Sequence, residues 1–568
     1  MSIQFLRCNP LNLQSLRSSV TCLIKCHYRV KHHELDELPR ITAPYHLKKK
    51  AAKVKKKSQT KKTPESSSKK PLLITCSKPF YNFHIGDRYK KHEPVLASKG
   101  WKSYKAKSSH FTINAIGMNP AMRGHSNKDI QSFTEFGLGK GIIEQLRMMN
   151  IESPTPIQKL TIPELLRGKN VLCAADTGSG KTLAYLLPVL QSITEQRDMD
   201  RSSDDHKTTA SSPRAIILVP SKELALQIQS VAKCFEEELG LSVHCIVKGM
   251  RVMNLKNTEM DILITSPGIL KKLSNYKLIN SSNLQHLVLD EADSLLDDSF
   301  SSDIKCILDT LKISTGALTA DSKGGSVGVQ ISLVSATMPR GIAGIIGNML
   351  DTENFRKITT KGLHFLLPHV TQKFHRLGQS ARSEEILRLA RHSKSKGKVM
   401  MIFCNKHGTS YWLSDYLREN GIDNMCLNGD MKPERRAFIF EKFQEAQSDI
   451  LVCTDIASRG LDTIRVNHVV NYEFPEYMSD YIHRVGRVGR VGSQGHCEVT
   501  SFIVHPWDVE LLWRIETAAR SSMELENVNA NIRRKEEAMY EERMERNLKN
   551  KDETDDDSFQ DDNIESRF

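Results

Sequence analysis

No run of 18 or more apolar residues occurs anywhere in the 568-residue sequence, so nothing in it reads as a membrane-spanning helix. Acidic residues are missing altogether from the first 33 positions, which carry spaced Arg and Lys among many Ser and Leu. That composition suits a mitochondrial transit peptide better than a folded segment, and residues 1–45 are expected to serve as one. The 12 cysteines form no paired short spacing in the body of the chain, so a structural zinc site is not indicated there and reduced thiols are expected. Cys22 and Cys26 with His27, His32 and His33 could be imagined as metal ligands, but they fall inside the transit-like stretch.

What charge there is lies at the ends. Residues 1–110 hold 25 Lys and Arg against 6 Asp and Glu, residues 111–551 come to only +2, and residues 552–568 carry eight acids and one Arg. The net +14 therefore does not describe a basic body. Any nucleic acid must be held in a local groove of the middle region, with the N-terminal arm adding salt-sensitive, sequence-blind attraction. The lysine block from Lys48 to Lys70 reads as a solvated arm, a nuclear address or an RNA contact, and composition does not separate these.

This length exceeds what one hydrophobic core organises, so two folded domains with extended segments are expected. From about residue 130 short apolar, β-branched runs alternate with helical patterns, which indicates an α/β fold with parallel sheets. The runs are Ala215 to Val219, Asp261 to Thr265, Leu287 to Leu289 and Ile331 to Val334, then Val399 to Phe403, Ile450 to Cys453 and His468 to Asn471. We expect a first domain over 126–360, a linker over 361–370 and a second domain over 371–520. Residues 46–125 are expected to be a basic, mostly disordered extension, and 521–568 a charged helix from about Asn529 with an acidic disordered tail. Polar inserts at Arg197 to Pro213 and Thr315 to Gly328 read as surface loops.

The strand candidate Val171-Leu-Cys-Ala-Ala175 runs into Asp176-Thr-Gly-Ser-Gly-Lys181-Thr182 and then an apolar helix start, the context a phosphate-binding loop requires. Ala175 to Gly180 would turn backbone N–H groups around the phosphates: Asp176, Thr177, Gly178, Ser179 and Gly180 form the loop. Lys181 would neutralise the β and γ phosphates, and the Thr182 hydroxyl would bind Mg²⁺. Leu287-Val-Leu-Asp290-Glu291-Ala292-Asp293 supplies the carboxylates, with Asp290 placed for Mg²⁺ and Glu291 for the attacking water.

Together these residues resemble the DEAD-box branch of helicase superfamily 2, over roughly Ser132 to Pro506 and with about ten motifs in the family's order. The resemblance implies two tandem RecA-like domains and an ATP-dependent RNA helicase. Ser153-Pro-Thr-Pro-Ile-Gln158 looks like the family's Q motif, which implies that Gln158 reads the adenine edge with Phe133 as the upstream aromatic; Asn150-Ile151 stands where the family has Gly and an aromatic. Ser335-Ala336-Thr337 resembles the segment that couples hydrolysis to strand separation, a role the resemblance also implies for Asp293 and His483. Asp462 would hold the ribose, and Arg487 and Arg490 would reach the γ-phosphate across the cleft, a task that suits planar guanidinium groups. Arg484 taken alone fits a basic surface patch.

The residues matching the family's RNA contacts are Ser221, Lys222, Gly249, Ser266, Pro267, Gly268, Asn405, Arg436 and Thr454. Four departures stand among these motifs: Ser221-Lys222 replaces Thr-Arg, Ile269 a terminal Arg, Met250 a Gly and Pro433 a Gln. Within the family, Leu96-Ala-Ser-Lys-Gly-Trp101-Lys-Ser, the Arg487 to Ser493 run and His505-Pro-Trp507-Asp-Val resemble a mitochondrial branch linked to large-subunit ribosome assembly. That likeness implies mitochondrial ribosomal RNA as substrate, with assembly proteins as possible partners and a monomeric chain. An RNA or ribosome-assembly scaffold using ATP only as a structural ligand is the alternative, and a DNA helicase a third reading. A scaffold has no chemical need for Lys181, Asp290, Glu291, Arg487 and Arg490 at once.

Overall fold

The computed structural model describes residues 71–87, 94–120, 132–202, 211–249, 255, 258–296, 300–311, 328–338, 355–457, 463–493, 495–525 and 528. The transit-like segment, the lysine block, the Cys22/Cys26 grouping, Asp462, Met250 and the C-terminal charged tail lie outside these residues. Among the described residues no helix is long and apolar enough to cross a membrane. The nine described cysteines are free thiols.

Three strands precede the first phosphate motif: β1 (Leu72–Cys76), β2 (Phe83–His84) and β3 (His110–Ile113). The next seven are β4 (Asn170–Ala174), β5 (Ala215–Leu218), β6 (Val243–Ile246), β7 (Ile262–Thr265), β8 (His286–Asp290), β9 (Gln330–Ser335) and β10 (Phe355–Thr359). They form one wholly parallel sheet in the order β10-β4-β9-β8-β5-β7-β6. Successive side chains of a strand face opposite ways, so Val171 and Cys173 enter one core while Leu172 enters the other. Both faces are covered, and this is why these strands read as unbroken apolar runs.

The second parallel sheet contains β11 (Thr371–Arg376), β12 (Val399–Phe403), β13 (Met425–Leu427), β14 (Ile450–Cys453), β15 (Val466–Asn471) and β16 (Glu498–Ile503). Its order is β13-β14-β12-β15-β16-β11, and then β3, β1 and β2 continue it as antiparallel neighbours. The two α/β RecA-like units are thus present as expected. The mostly disordered extension differs over its described parts, because residues 71–87 and 94–117 fold onto the second domain rather than trailing from the first.

Physical anchors for that addition are specific. Phe111 on β3 is fully buried and stacks on Phe374 of β11 at 4.9 Å, and Trp101 tilts against Phe111 at 5.6 Å. Glu516, on the helix Asp508–Ser521, has no exposed surface; it accepts the Ala97 N–H at 2.7 Å and the Ser98 N–H at 3.0 Å, while Arg520 Nε donates to it at 2.7 Å. Arg376 Nε donates to the Trp101 carbonyl at 2.9 Å. These short strands turn Ile74, Cys76, Phe111 and Ile113 inward on alternate positions, a pattern too brief to stand out inside a lysine-rich region. The first polar insert also differs from expectation, since the helix Lys181–Ser202 extends through Arg197 to Ser202.

Deleting residues 1–69 should leave the thermal midpoint unchanged, whereas deleting 1–117 should lower it by about 5 °C or more, because β11 loses its partner strand and Phe374 its cover. Differential scanning calorimetry of both truncations checks this. Equal midpoints for the two would show that β1–β3 add nothing to the second domain.

Candidate functional site

β4, β9 and β8 are adjacent and parallel, so their C-terminal ends deliver three motifs to one edge: the loop 175–180 after β4, Ser335–Thr337 at the end of β9, and Asp290–Asp293 after β8. Gly178 and Gly180 take φ of +74° and +89°, a backbone shape that L side chains rarely adopt. Lys181 Nζ donates to the Ala175 and Asp176 carbonyls at 2.7 and 2.9 Å, closing the loop on itself. Gln158 braces the same loop, its Nε2 donating to the Gly180 carbonyl at 3.0 Å while its Oε1 accepts the Thr155 N–H at 2.8 Å. The amide expected to read an adenine is therefore engaged at both ends, its nitrogen on the phosphate loop and its oxygen on the start of its own helix Pro156–Leu166.

Phe133 is 2 % exposed and belongs to the core beneath, where it meets Phe136 edge-on at 6.0 Å. Asn150, standing where the family has glycine, takes φ +57°, the left-handed region that asparagine tolerates best after glycine. The substitution keeps the backbone path.

Asp290 is buried, and burial followed by the neighbouring Glu291 pushes its carboxyl up to about 6, against the opposing pull of the Tyr185 hydroxyl and Lys181. Burial also lowers Lys181, with Asp290 acting in the other direction. Tyr185 was not singled out from the sequence, where it looks like one more apolar position of its helix. Its hydroxyl donates to Asp290 Oδ2 at 2.9 Å and also meets the Thr182 side chain, so it joins the two residues assigned to the metal. Glu291 sits at φ +53°, bending the chain sharply off β8, and its Oε2 is buried with no hydrogen-bond partner among the described residues. Ser179 Oγ is likewise buried and unsatisfied. A glycine loop with an unused hydroxyl, a desolvated carboxylate and a lysine fits a polyphosphate with a divalent cation.

The second domain meets this edge directly. A side-chain carbon on Gly178 would lie 2.6 Å from Arg490 Cγ, and one on Gly486 would collide with the Thr177 side chain. His483 Nε2 lies 3.1 Å from Asp293 Oδ2, and the Thr337 hydroxyl donates to the same carboxylate oxygen. Ser335, Thr337, Asp293 and His483 thus form one cross-domain cluster. Arg487 is buried with Nε donating to the His483 carbonyl at 3.2 Å, and half-buried Arg490 donates likewise to Gly486 at 3.2 Å.

Arg484 corrects the reading of a surface patch: it is 1 % exposed. It donates to both Asp455 oxygens at 2.6 and 2.7 Å, to Asn405 Oδ1 at 2.7 Å and to the Glu473 carbonyl at 2.8 Å. Asn405 Nδ2 donates to the Phe474 carbonyl at 2.9 Å, so the side chain matched to an RNA contact is spent within the domain. Thr454 is also buried, with its N–H on the Leu427 carbonyl.

Of the remaining matched residues, Lys222, Gly249 and Arg436 make contacts between the domains. Ser221 caps its helix by accepting the Leu224 N–H at 3.2 Å, and Ser266, Pro267 and Gly268 open the helix Pro267–Asn275. Lys222 Nζ lies 3.7 Å from Glu434 Oε1, which also packs against Gly249. Arg436 Nε approaches Glu223 Oε1 to 3.2 Å without the alignment of a hydrogen bond, so that contact is electrostatic. Among the described residues no group of three or more His, Cys, Asp or Glu gathers as a metal centre.

Comparison with known proteins agrees with this geometry. Residues 155–345 match the model of the DEAD/DEAH box helicase family, and residues 381–492 that of the helicase conserved C-terminal domain. The chain is 38 % identical over 477 residues to the Homo sapiens protein named probable ATP-dependent RNA helicase DDX28, covering 82 % of this chain and 87 % of that protein. For the Mus musculus protein of that name the values are 37 % over 476 residues, 81 % and 86 %. Among solved structures, S. cerevisiae Dbp5 bound to RNA and ADP BeF3 shares the fold with a TM-score of 0.56 at 24 % identity, over 69 % of this chain and 94 % of that one.

The Arg484 clamp makes its own prediction. Arg484→Met keeps the bulk but strands the Asn405, Glu473 and Asp455 acceptors. It should destabilise the protein toward the low end of about 3–5 kcal/mol, since Asp455 keeps some contact with water. Urea unfolding of parent and variant measures this, and a surface role would leave the midpoint unmoved.

Proposed function

The chain belongs to the DEAD-box family of ATP-dependent RNA helicases, and from that premise we propose how its residues divide the work of hydrolysis. The observation that carries this reading is the approach of Arg490 to Gly178, which packs the stem of a second-domain arginine against the phosphate loop of the first. The loop 175–180 receives the phosphates on its N–H groups, and Lys181 exchanges the Ala175 and Asp176 carbonyls for phosphate oxygens. Bound there, ATP supplies the phosphoanhydride to be cleaved, and Mg²⁺ supplies positive charge beside it. Thr182 and Asp290 are the groups that hold the metal, oriented through Tyr185.

Glu291 orients the attacking water and takes its proton. Its Oε2 is a buried acceptor left without a hydrogen-bond partner among the described residues. Arg487 and Arg490 then stabilise charge on the γ-phosphate as it transfers, which makes hydrolysis depend on closure. Asp293 is shared by Thr337 and His483, so the end of β9 and the second domain register the same event. On the RNA side, Lys222 and Arg436 are the cations for the phosphate backbone, and each exchanges a carboxylate partner, Glu434 or Glu223, for phosphate.

Glu291→Gln keeps shape and hydrogen bonding but loses the base. Turnover of ATP should fall at least about hundredfold while ATP still binds, and RNA should leave the ATP-bound variant more slowly than the parent. ATPase rates with RNA dissociation measured together check this. A variant that hydrolyses ATP at the parent rate, or releases RNA equally fast, would remove the role given to Glu291.

For the substrate we place this chain with mitochondrial large-subunit ribosomal RNA, in the matrix, acting in ribosome assembly. The acid-free first 33 residues support the compartment, and the likeness over Leu96 to Ser103 and His505 to Val509 supports the RNA. Crosslinking in cells followed by sequencing of the bound RNA should recover mitochondrial large-subunit RNA above all other species. Enrichment of nuclear transcripts instead would overturn both compartment and substrate.

A further inference from the structure

The geometry points to Asn119 as a positioning residue for ATP hydrolysis: the N-terminal segment that folds onto the second domain holds, through this side chain, the loop carrying Arg487 and Arg490. After β3 the chain runs along the second domain, where the Ile116 and Gly117 N–H groups meet the Pro368 carbonyl at 2.8 and 3.1 Å. Two residues on, Asn119 Nδ2 donates to the Gly489 carbonyl at 2.9 Å. The same oxygen lies 2.7 Å from His369 Nε2. A carbonyl oxygen has two lone pairs, and both are engaged here.

Gly489 lies between the two arginines, and its surroundings leave the backbone no slack. At φ +72°, a side-chain carbon there would stand 2.6 Å from His369 Nε2 and 2.7 Å from Val370 Cγ2. Two other contacts fix the loop from within the second domain. The Thr463 hydroxyl donates to the Arg487 carbonyl at 2.6 Å, and the Arg490 N–H donates to Ser493 Oγ at 3.2 Å. Neither family model reaches Asn119 or His369, since the matches span residues 155–345 and 381–492. A guanidinium at the end of a long side chain must meet a phosphate oxygen to within a few tenths of an ångström, so a small shift of its backbone is felt at the tip.

This inference rests on the role proposed above for Arg490. The test uses the full chain with RNA and compares the parent, Asn119→Ala, Asn119→Asp, Arg490→Ala and the Asn119→Ala/Arg490→Ala double variant. Each is scored for kcat, for KM of ATP and for thermal midpoint. Asn119→Ala should lower kcat about three- to tenfold with KM within about twofold and the midpoint unchanged. Asn119→Asp, which keeps the shape but turns an acceptor toward a carbonyl, should be at least as slow. In the Arg490→Ala background the Asn119 effect should vanish, because both act on one loop.

A parent-like kcat for Asn119→Ala overturns the proposal. So does an equal loss in both backgrounds, or a fall in midpoint with kcat and KM changed together, which is the mark of a purely structural contact. If Arg490→Ala itself turns over at the parent rate, the role given to that arginine fails instead, and the same cycle is then read against Arg487→Ala.

Discussion

Two loops from different domains approach each other more closely than any side chain at Gly178 or Gly486 would allow, and the rest of the site depends on that contact. Neither loop is complete alone. The first offers backbone donors, Lys181 and two carboxylates, while the second offers the arginines. Electrostatics inside such a seam are stronger than on an open surface because water is excluded, and they vanish when the seam parts. Asp293 makes the dependence explicit, since its one carboxylate oxygen is met by Thr337 from its own domain and His483 from the other.

The second domain is larger than its motifs suggest. Its parallel sheet would end at β11 with an exposed row of backbone donors and acceptors, an edge that invites unwanted pairing. β3, β1 and β2 continue the sheet beyond it, and the Glu516–Arg520 pair, wholly buried, ties residues 97 and 98 to the last helix. The chain consequently joins the two sheets twice, once between β3 and Phe133 and once between β10 and β11.

Around the residues proposed to contact RNA the structure is more restrained than a list of cations implies. Lys222 and Arg436 each face a carboxylate, and Asn405 is held by Arg484 and Phe474. Exchange of a carboxylate for a phosphate gains less than filling an empty cationic site.

What the sequence determined by itself was whatever short-range pattern enforces. Apolar runs bounded by turns specify strands buried on both faces, and Gly178-Ser-Gly-Lys181-Thr182 between a strand and a helix suits a phosphate loop, because that loop needs a positive-φ backbone that residues other than glycine rarely adopt. Residues far apart in sequence came together only through topology. The placement of β9 between β4 and β8 joins Thr337 to Asp293, and the antiparallel addition of β3 to β11 brings Asn119 to Gly489. Arg484 looked like surface charge because a guanidinium ordinarily seeks water, until Asp455, Asn405 and Glu473 supplied its partners. Gln158 and Tyr185 follow the same rule. A polar side chain's role is fixed by which donors and acceptors the fold sets around it, and that arrangement is not written in its neighbours along the chain.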